Sequence, residues 1–249
     1  MFDVNLILVA AVFALAGFVK GAIGLGLPTI AMGLLAIVMP PVEAAAILIL
    51  PSLLTNVWQT VAGPSLRSVL QRLWPMMGGI CLGTWLGMGL MTGAYARYGT
   101  AFLGAALTFY ALSGLVSIHL ALSREREPMF GPLTGAVTGI IAAATGVFVI
   151  PAVPYLQAIG LEKEDLVQAL GLSFTVSTVA LAVNVGVAGG FDVSKASMTL
   201  TALAMASAGM WLGQTLRLKL PSAVFRRWFF IGLLLLGIYL VVKSVASLS

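Results

Sequence analysis

Charge is scarce in this chain: of 249 residues, 8% are Asp, Glu, Lys or Arg, against 60% apolar. A soluble domain carries about 25% charge, so too little polar surface is available to cover a water-facing globule. Cysteine is almost absent. The single Cys81 falls inside an apolar run, which excludes a disulfide framework or a thiolate metal cluster and leaves a small packing residue. Histidine is limited to His119, near a span end, where a solvated or interfacial role is expected rather than a proton relay. The chain also lacks a nucleophile with its base, or two facing carboxylates, within an apolar run, so no enzyme activity is expected and no cofactor is implied. The net charge of +5 raises nucleic acid as a partner. Its Lys and Arg residues are scattered between apolar runs, however, where inserted proteins keep cationic loops, so no nucleic-acid binding is expected.

Apolar runs of bilayer length are abundant. Glu43 to Ala62, Leu73 to Thr92, Thr100 to Ser123, Leu166 to Ala188, Ala196 to Leu216 and Val224 to Val245 each reach across a hydrocarbon core of about 30 Å at about 1.5 Å per residue. These predict six full spans, an all-α polytopic bundle and a lipid bilayer as its solvent. Met1 to Gly17 imitates a signal peptide, but its only charge is Asp3 and no basic n-region precedes it, so the segment is expected to be retained.

Two further apolar segments, Leu6 to Met39 and Pro132 to Ala158, are interrupted. In the first, Gly17, Gly21, Gly24 and Gly26 precede Pro28, a residue suited to the first turn of a new helix because its missing N–H is an orphan there. In the second, Gly135 and Gly139 lead to Thr145-Gly146, and Val147 to Ala158 follow as a short helical arm of about 18 Å. Gly17-x-x-Lys20-Gly21 lies against Gly135-x-x-Thr138-Gly139 at an offset of 118, and each segment precedes a polar-dotted span. A duplicated unit is read from this, with repeats at 1–128 and 129–249.

Charge then sorts the topology. With one crossing per interrupted segment, the twelve Lys and Arg outside Lys20 divide six to six. With a hairpin or two short crossings per segment, Arg67, Arg72, Arg124, Arg126, Lys163, Arg217, Lys219, Arg226 and Arg227 share a side, opposite Arg97, Lys195 and Lys243. Nine against three obeys the positive-inside rule and puts both termini outside the cytoplasm. Each half is then a broken-helix hairpin plus three spanning helices, and the halves are inverted, as in carriers whose discontinuous helices meet near the midplane.

Lys20 is the one charge predicted within the membrane, with no carboxylate at its depth. At about 3 kcal/mol to insert, it calls for a partner, a cavity or an anion, or else it snorkels along a tilted helix. Helix N-termini near Pro28 and Gly146 would add positive dipole ends, and Gly24, Gly26 and Gly146 would admit a ligand close to the backbone. Gly17, Gly21, Gly135 and Gly139 read equally as packing glycines. Candidate ligand contacts are Lys20, Gly24, Gly26, Pro28 and Thr29 at the first break, and Thr145 and Gly146 at the second. The following spans add Ser52, Thr55, Asn56 and Gln59, then Ser173, Thr175 and Ser177. Their hydroxyls and amides suit an oxyanion, or simply hydrogen-bond between helices. Pro51 is read as a hinge and Trp58 as packing or an interface anchor.

Gly17-Phe-Val-Lys-Gly-Ala-Ile-Gly-Leu-Gly-Leu-Pro28 and Gly135-Ala-Val-Thr-Gly-Ile-Ile-Ala-Ala-Ala-Thr-Gly146, each before a polar-dotted span, resemble the TauE/SafE sulfite exporter family over essentially the whole chain. The resemblance implies a multi-pass protein of the bacterial inner membrane that exports sulfite, a sulfonate or a related small anion. Gly24, Gly26 and Pro28 match its first motif, and Gly139 and Gly146 its second. Leu25, Leu27 and Ala142 to Ala144 depart from its continuous glycine clusters. An anion channel and a non-transporting assembly component are the alternatives, and neither coupling ion nor oligomeric state is fixed by these residues.

Overall fold

The computed structural model describes residues 4–92, 95–116, 121–216 and 222–248. Asp3, His119, Arg217 and Lys219 lie outside the described residues. The described chain is helical: α1 (Val4–Ile23), α2 (Leu27–Leu35), α3 (Pro41–Val61), α4 (Leu66–Leu86), α5 (Gly99–Val116), α6 (Glu127–Thr145), α7 (Ala152–Ala158), α8 (Lys163–Val187), α9 (Ala196–Leu216) and α10 (Ser222–Leu248). Short 3₁₀ turns lead into α5, α6 and α9.

Both interrupted segments are broken where expected, but their arms are unequal. The first arms, α1 and α6, are 20 and 19 residues long and belong to stretches able to cross a bilayer, whereas α2 has 9 residues and α7 has 7. The six described helices long and apolar enough to span therefore include α1 and α6, together with α3, α5, α8 and α10. The expected spans Leu73 to Thr92 and Ala196 to Leu216 are not among them. Both correspond to 21-residue helices, α4 and α9, whose hydropathy is diluted by residues such as Gln71, Arg72, Ser207 and Gln214. Helix α4 also starts seven residues earlier than expected and stops before Gly87, with Gly89 at φ +83° just beyond.

Between lipid-solvated helices apolar burial drives little association, so close backbone approach does the work. Gly17 and Gly21 of α1 face Gly209 and Gly213 of α9, and Gly79 and Gly83 of α4 face Gly135 and Gly139 of α6. A Cβ on any of these eight glycines would fall 2.0–2.3 Å from a carbonyl oxygen of the facing helix. Even alanine requires the backbones to part. Helices α3 and α8 meet instead through polar side chains, and α5 and α10 through Gly104, Gly237 and the edge-to-face pair Tyr110–Phe230.

These contacts fix directions. Gly17 meets Ala206 and Gly21 meets Met210, so α1 and α9 are parallel; Gly79 near Pro132 and Gly83 near Ala136 make α4 and α6 parallel. Ser52 meets Thr178 and Thr60 meets Thr175, so α3 and α8 are antiparallel. Lys20 meets Asn56 and Gly24 meets Gln59, so α1 and α3 run the same way, and α2 with residues 36–40 brings the chain back between them. Arg67, Arg72, Arg124, Arg126, Lys163, Arg226 and Arg227 consequently gather at one end of the bundle. Arg97, Lys195 and Lys243 lie at the other.

Each end carries an ion pair. Arg72 grips Glu127 through Nε and Nη2 at 2.8 and 2.6 Å, joining the starts of α4 and α6, and also donates to the Ile159 carbonyl. At the opposite end Lys195 pairs with Glu43 at 2.6 Å. Lys243 donates to the Ile37 carbonyl, just past the end of α2, where a cation is favoured.

Candidate functional site

The first break is written by two glycines. Gly24 at φ +81° and Gly26 at φ +112° adopt a backbone that L side chains rarely take, so α1 stops and the chain turns into α2. Pro28 occupies the first turn of α2, and the Thr29 hydroxyl folds back to the Gly26 carbonyl at 2.8 Å.

Lys20 sits in the last turn of α1 and is 2% exposed. Its ammonium donates to Thr55 Oγ1 at 3.0 Å and to Asn56 Oδ1, and among the described residues it has no carboxylate partner. The acceptors are held in turn. Thr55 spends its hydroxyl proton on the Pro51 carbonyl at 2.7 Å, and Asn56 Nδ2 donates to Ser52 Oγ at 3.0 Å and to Thr178 Oγ1 at 3.4 Å. Gln59 Nε2 donates to the carbonyls of Gly24 and Val167 at 3.1 and 2.8 Å, tying the break to α8. Gln168 completes the seam, donating to the Thr60 carbonyl and accepting from the Ser65 amide. Pro51 lies inside a continuous α3.

The cluster thus brings together Lys20, Gly24, Ser52, Thr55, Asn56 and Gln59. Ser52 and Thr178 meet near the middle of α3 and α8, and Lys20 and Asn56 lie about one turn nearer the end with more cations. From Lys20 a cavity of about 420 Å³ leads past Gln59, Gln168 and Gln214 to Lys163 and Glu164 at that same end, with Trp58 on its rim. On the opposite half of the bundle a second cleft, of about 370 Å³, lies between α4 and α8 and is lined by Thr84, Trp85, Val183 and Asn184.

The other candidates fall elsewhere. Residues of α8 that meet α3 are Gln168, Gly171, Thr175 and Thr178. At about 100° per residue, Ser173 and Ser177 lie at least about 100° around the helix from each of these. Both hydroxyls are fully buried and without a partner among the described residues. Thr138, the counterpart of Lys20, is buried and bonded to its own Thr134 carbonyl.

The second break corrects an expectation. Gly146, at φ +71°, terminates α6 rather than starting a helix, and α7 begins only at Ala152. Ile150 precedes Pro151, which disfavours helical backbone and delays the new start. Thr145 accepts from the Val147 amide at 3.2 Å and donates to the Ile141 carbonyl, so the second break presents no helix N-terminus at Gly146. Gly146 instead packs on α2, where a Cβ would strike Met32 at 2.7 Å.

Thr60 and Gln214 were not singled out by sequence. Gln214 lies one turn beyond Met210 on the α9 stripe that covers Gly21, a position that becomes visible once α1 and α9 are paired. The family model described as Sulfite exporter TauE/SafE matches residues 9–240. No curated protein and no solved structure matches the chain.

Proposed function

The chain belongs to the TauE/SafE sulfite exporter family, and from that premise we propose that it is an inner-membrane carrier exporting sulfite or an organosulfonate between two inverted repeats, 1–128 and 129–249. Membership supports a multi-pass membrane transporter of sulfite-type anions.

One observation carries the reading: a buried ammonium, held among the described residues by neutral acceptors alone, at the floor of a cavity that reaches one end of the bundle. A charge so placed is costly unless an anion joins it. Lys20 is the direct contact. Thr55 and Asn56 keep its place when the site is empty, and Ser52 and Gln59 fix Asn56 and the Gly24 backbone. Gly26, Pro28 and Thr29 shape the first break; Thr145 and Gly146 shape the second. Thr175 belongs to the α3–α8 seam, and Ser173 and Ser177 are spare donors on another face of α8.

Inversion of the repeats is supported by the pairings. Exchanging α1–α5 with α6–α10 turns the α1–α9 contact into α6–α4, and leaves α3–α8 and α5–α10 unchanged. The cation-rich end is assigned to the cytoplasm, so the Lys20 cavity faces the side from which an exporter loads, and the α4–α8 cleft lies toward release.

Counterflow in proteoliposomes tests this directly. Vesicles loaded with unlabelled sulfite should accumulate labelled sulfite transiently through the protein. Unitary conductance without exchange would make it a channel, and neither signal would make it an assembly component.

A further inference from the structure

The Lys20 cavity also limits how much charge its cargo brings. Five side chains that line it besides Lys20 decide the electrostatics: Gln59, Gln168 and Gln214 are neutral, and Lys163 and Glu164 are of opposite sign and exposed at the mouth. The floor therefore holds one uncompensated cation. The amide protons of Asn56 and Gln59 and the hydroxyl proton of Thr55 are already committed inside the protein, and Gln168 and Gln214 add neutral amides but no charge. The first turn of α8 reaches the cavity, but Glu164 and Asp165 within it offset the positive end of that helix.

Resting on the reading of Lys20 as an anion contact, we propose that the site selects a singly charged oxyanion, such as a sulfonate or hydrogen sulfite, over a doubly charged one. A monoanion leaves the floor neutral. A dianion brings a second charge into a desolvated site with no cation to meet it, and that charge keeps its full desolvation penalty. The volume of about 420 Å³ exceeds what sulfite fills, so an organic tail fits as long as it adds no charge.

Titration calorimetry on the full chain in nanodiscs reads this out with two matched pairs. Methanesulfonate is set against sulfate, and ethanesulfonate against sulfoacetate, in which a carboxylate replaces the terminal methyl. Each monoanion should bind at least about tenfold tighter than its dianionic counterpart. Gln59→Lys, which adds a cation at the floor, should narrow that ratio by about tenfold. Dianions binding within about threefold of monoanions to the unaltered chain would overturn the selectivity and leave the anion site standing. Binding of neither member of a pair would overturn both. Should Gln59→Lys not fold, the two pairs on the unaltered chain decide alone.

Discussion

Lys20→Met abolishes sulfite-dependent flux while the protein inserts and folds normally. Methionine matches the length and apolar body of the lysine stem, so packing around α1 is kept and only the ammonium is lost. If that ammonium is the cargo's ionic partner, removing it costs about 2–5 kcal/mol of binding, a loss on the order of 100-fold in affinity or more. Stability responds differently. Thr55 Oγ1 and Asn56 Oδ1 lose a donor, at about 1–3 kcal/mol each when left unmet, while an uncompensated buried charge costing several kcal/mol disappears. The melting temperature is expected to hold or rise. Unchanged anion affinity by titration would make Lys20 a structural lysine and remove the site.

Asn56→Asp is the complementary experiment, because it leaves Lys20 in place and changes only what the ammonium faces. The two side chains are nearly isosteric, and the Asn56 carbonyl oxygen already accepts from Lys20. A carboxylate there gives Lys20 a permanent counter-charge. The neutralised pair no longer attracts an anion and its carboxylate repels one, so affinity should fall at least as far as in Lys20→Met, on the order of 100-fold. The Ser52 hydroxyl, which accepts from Asn56 Nδ2 at 3.0 Å, can turn to donate and satisfy the new oxygen. Thermal stability is expected to increase, since an isolated buried charge becomes a paired one. Anion binding that survives Asn56→Asp would show that the cargo does not depend on the free charge of Lys20.

Much of this architecture is legible in the sequence. Gly24, Gly26 and Pro28 announce a break because their backbone requirements are local, and Lys20 is conspicuous because nothing else near it in sequence is charged. Gly146 shows where local reading fails. A glycine with positive φ ends a helix as readily as it precedes one, and only Pro151 further along sets the start of α7. Helices α1 and α6 run to bilayer length because Gly17, Gly21, Gly135 and Gly139 face α9 and α4, and the helix tolerates glycines that a neighbour covers. The polar residues of α8 looked like one set in sequence. The helical repeat separates Thr175 and Thr178 from Ser173 and Ser177, and which stripe meets α3 depends on packing that sequence spacing leaves unspecified. The internal bonds of Thr55, Asn56 and Gln59 were likewise hidden, since their partners lie up to 122 residues away.

The central claim is that a sulfur oxyanion sits against the Lys20 ammonium within the cavity reaching the cation-rich end. Anomalous diffraction from crystals of the full chain grown with selenite, the heavier analogue of sulfite, locates the anion directly. The account predicts a selenium peak in the cavity placed so that a selenite oxygen bonded to it lies within hydrogen-bond distance of Lys20 Nζ, with the ammonium drawn away from Thr55 or Asn56. A peak only at the Arg72 and Arg124 surface, with Lys20 still held by both side chains, would contradict it.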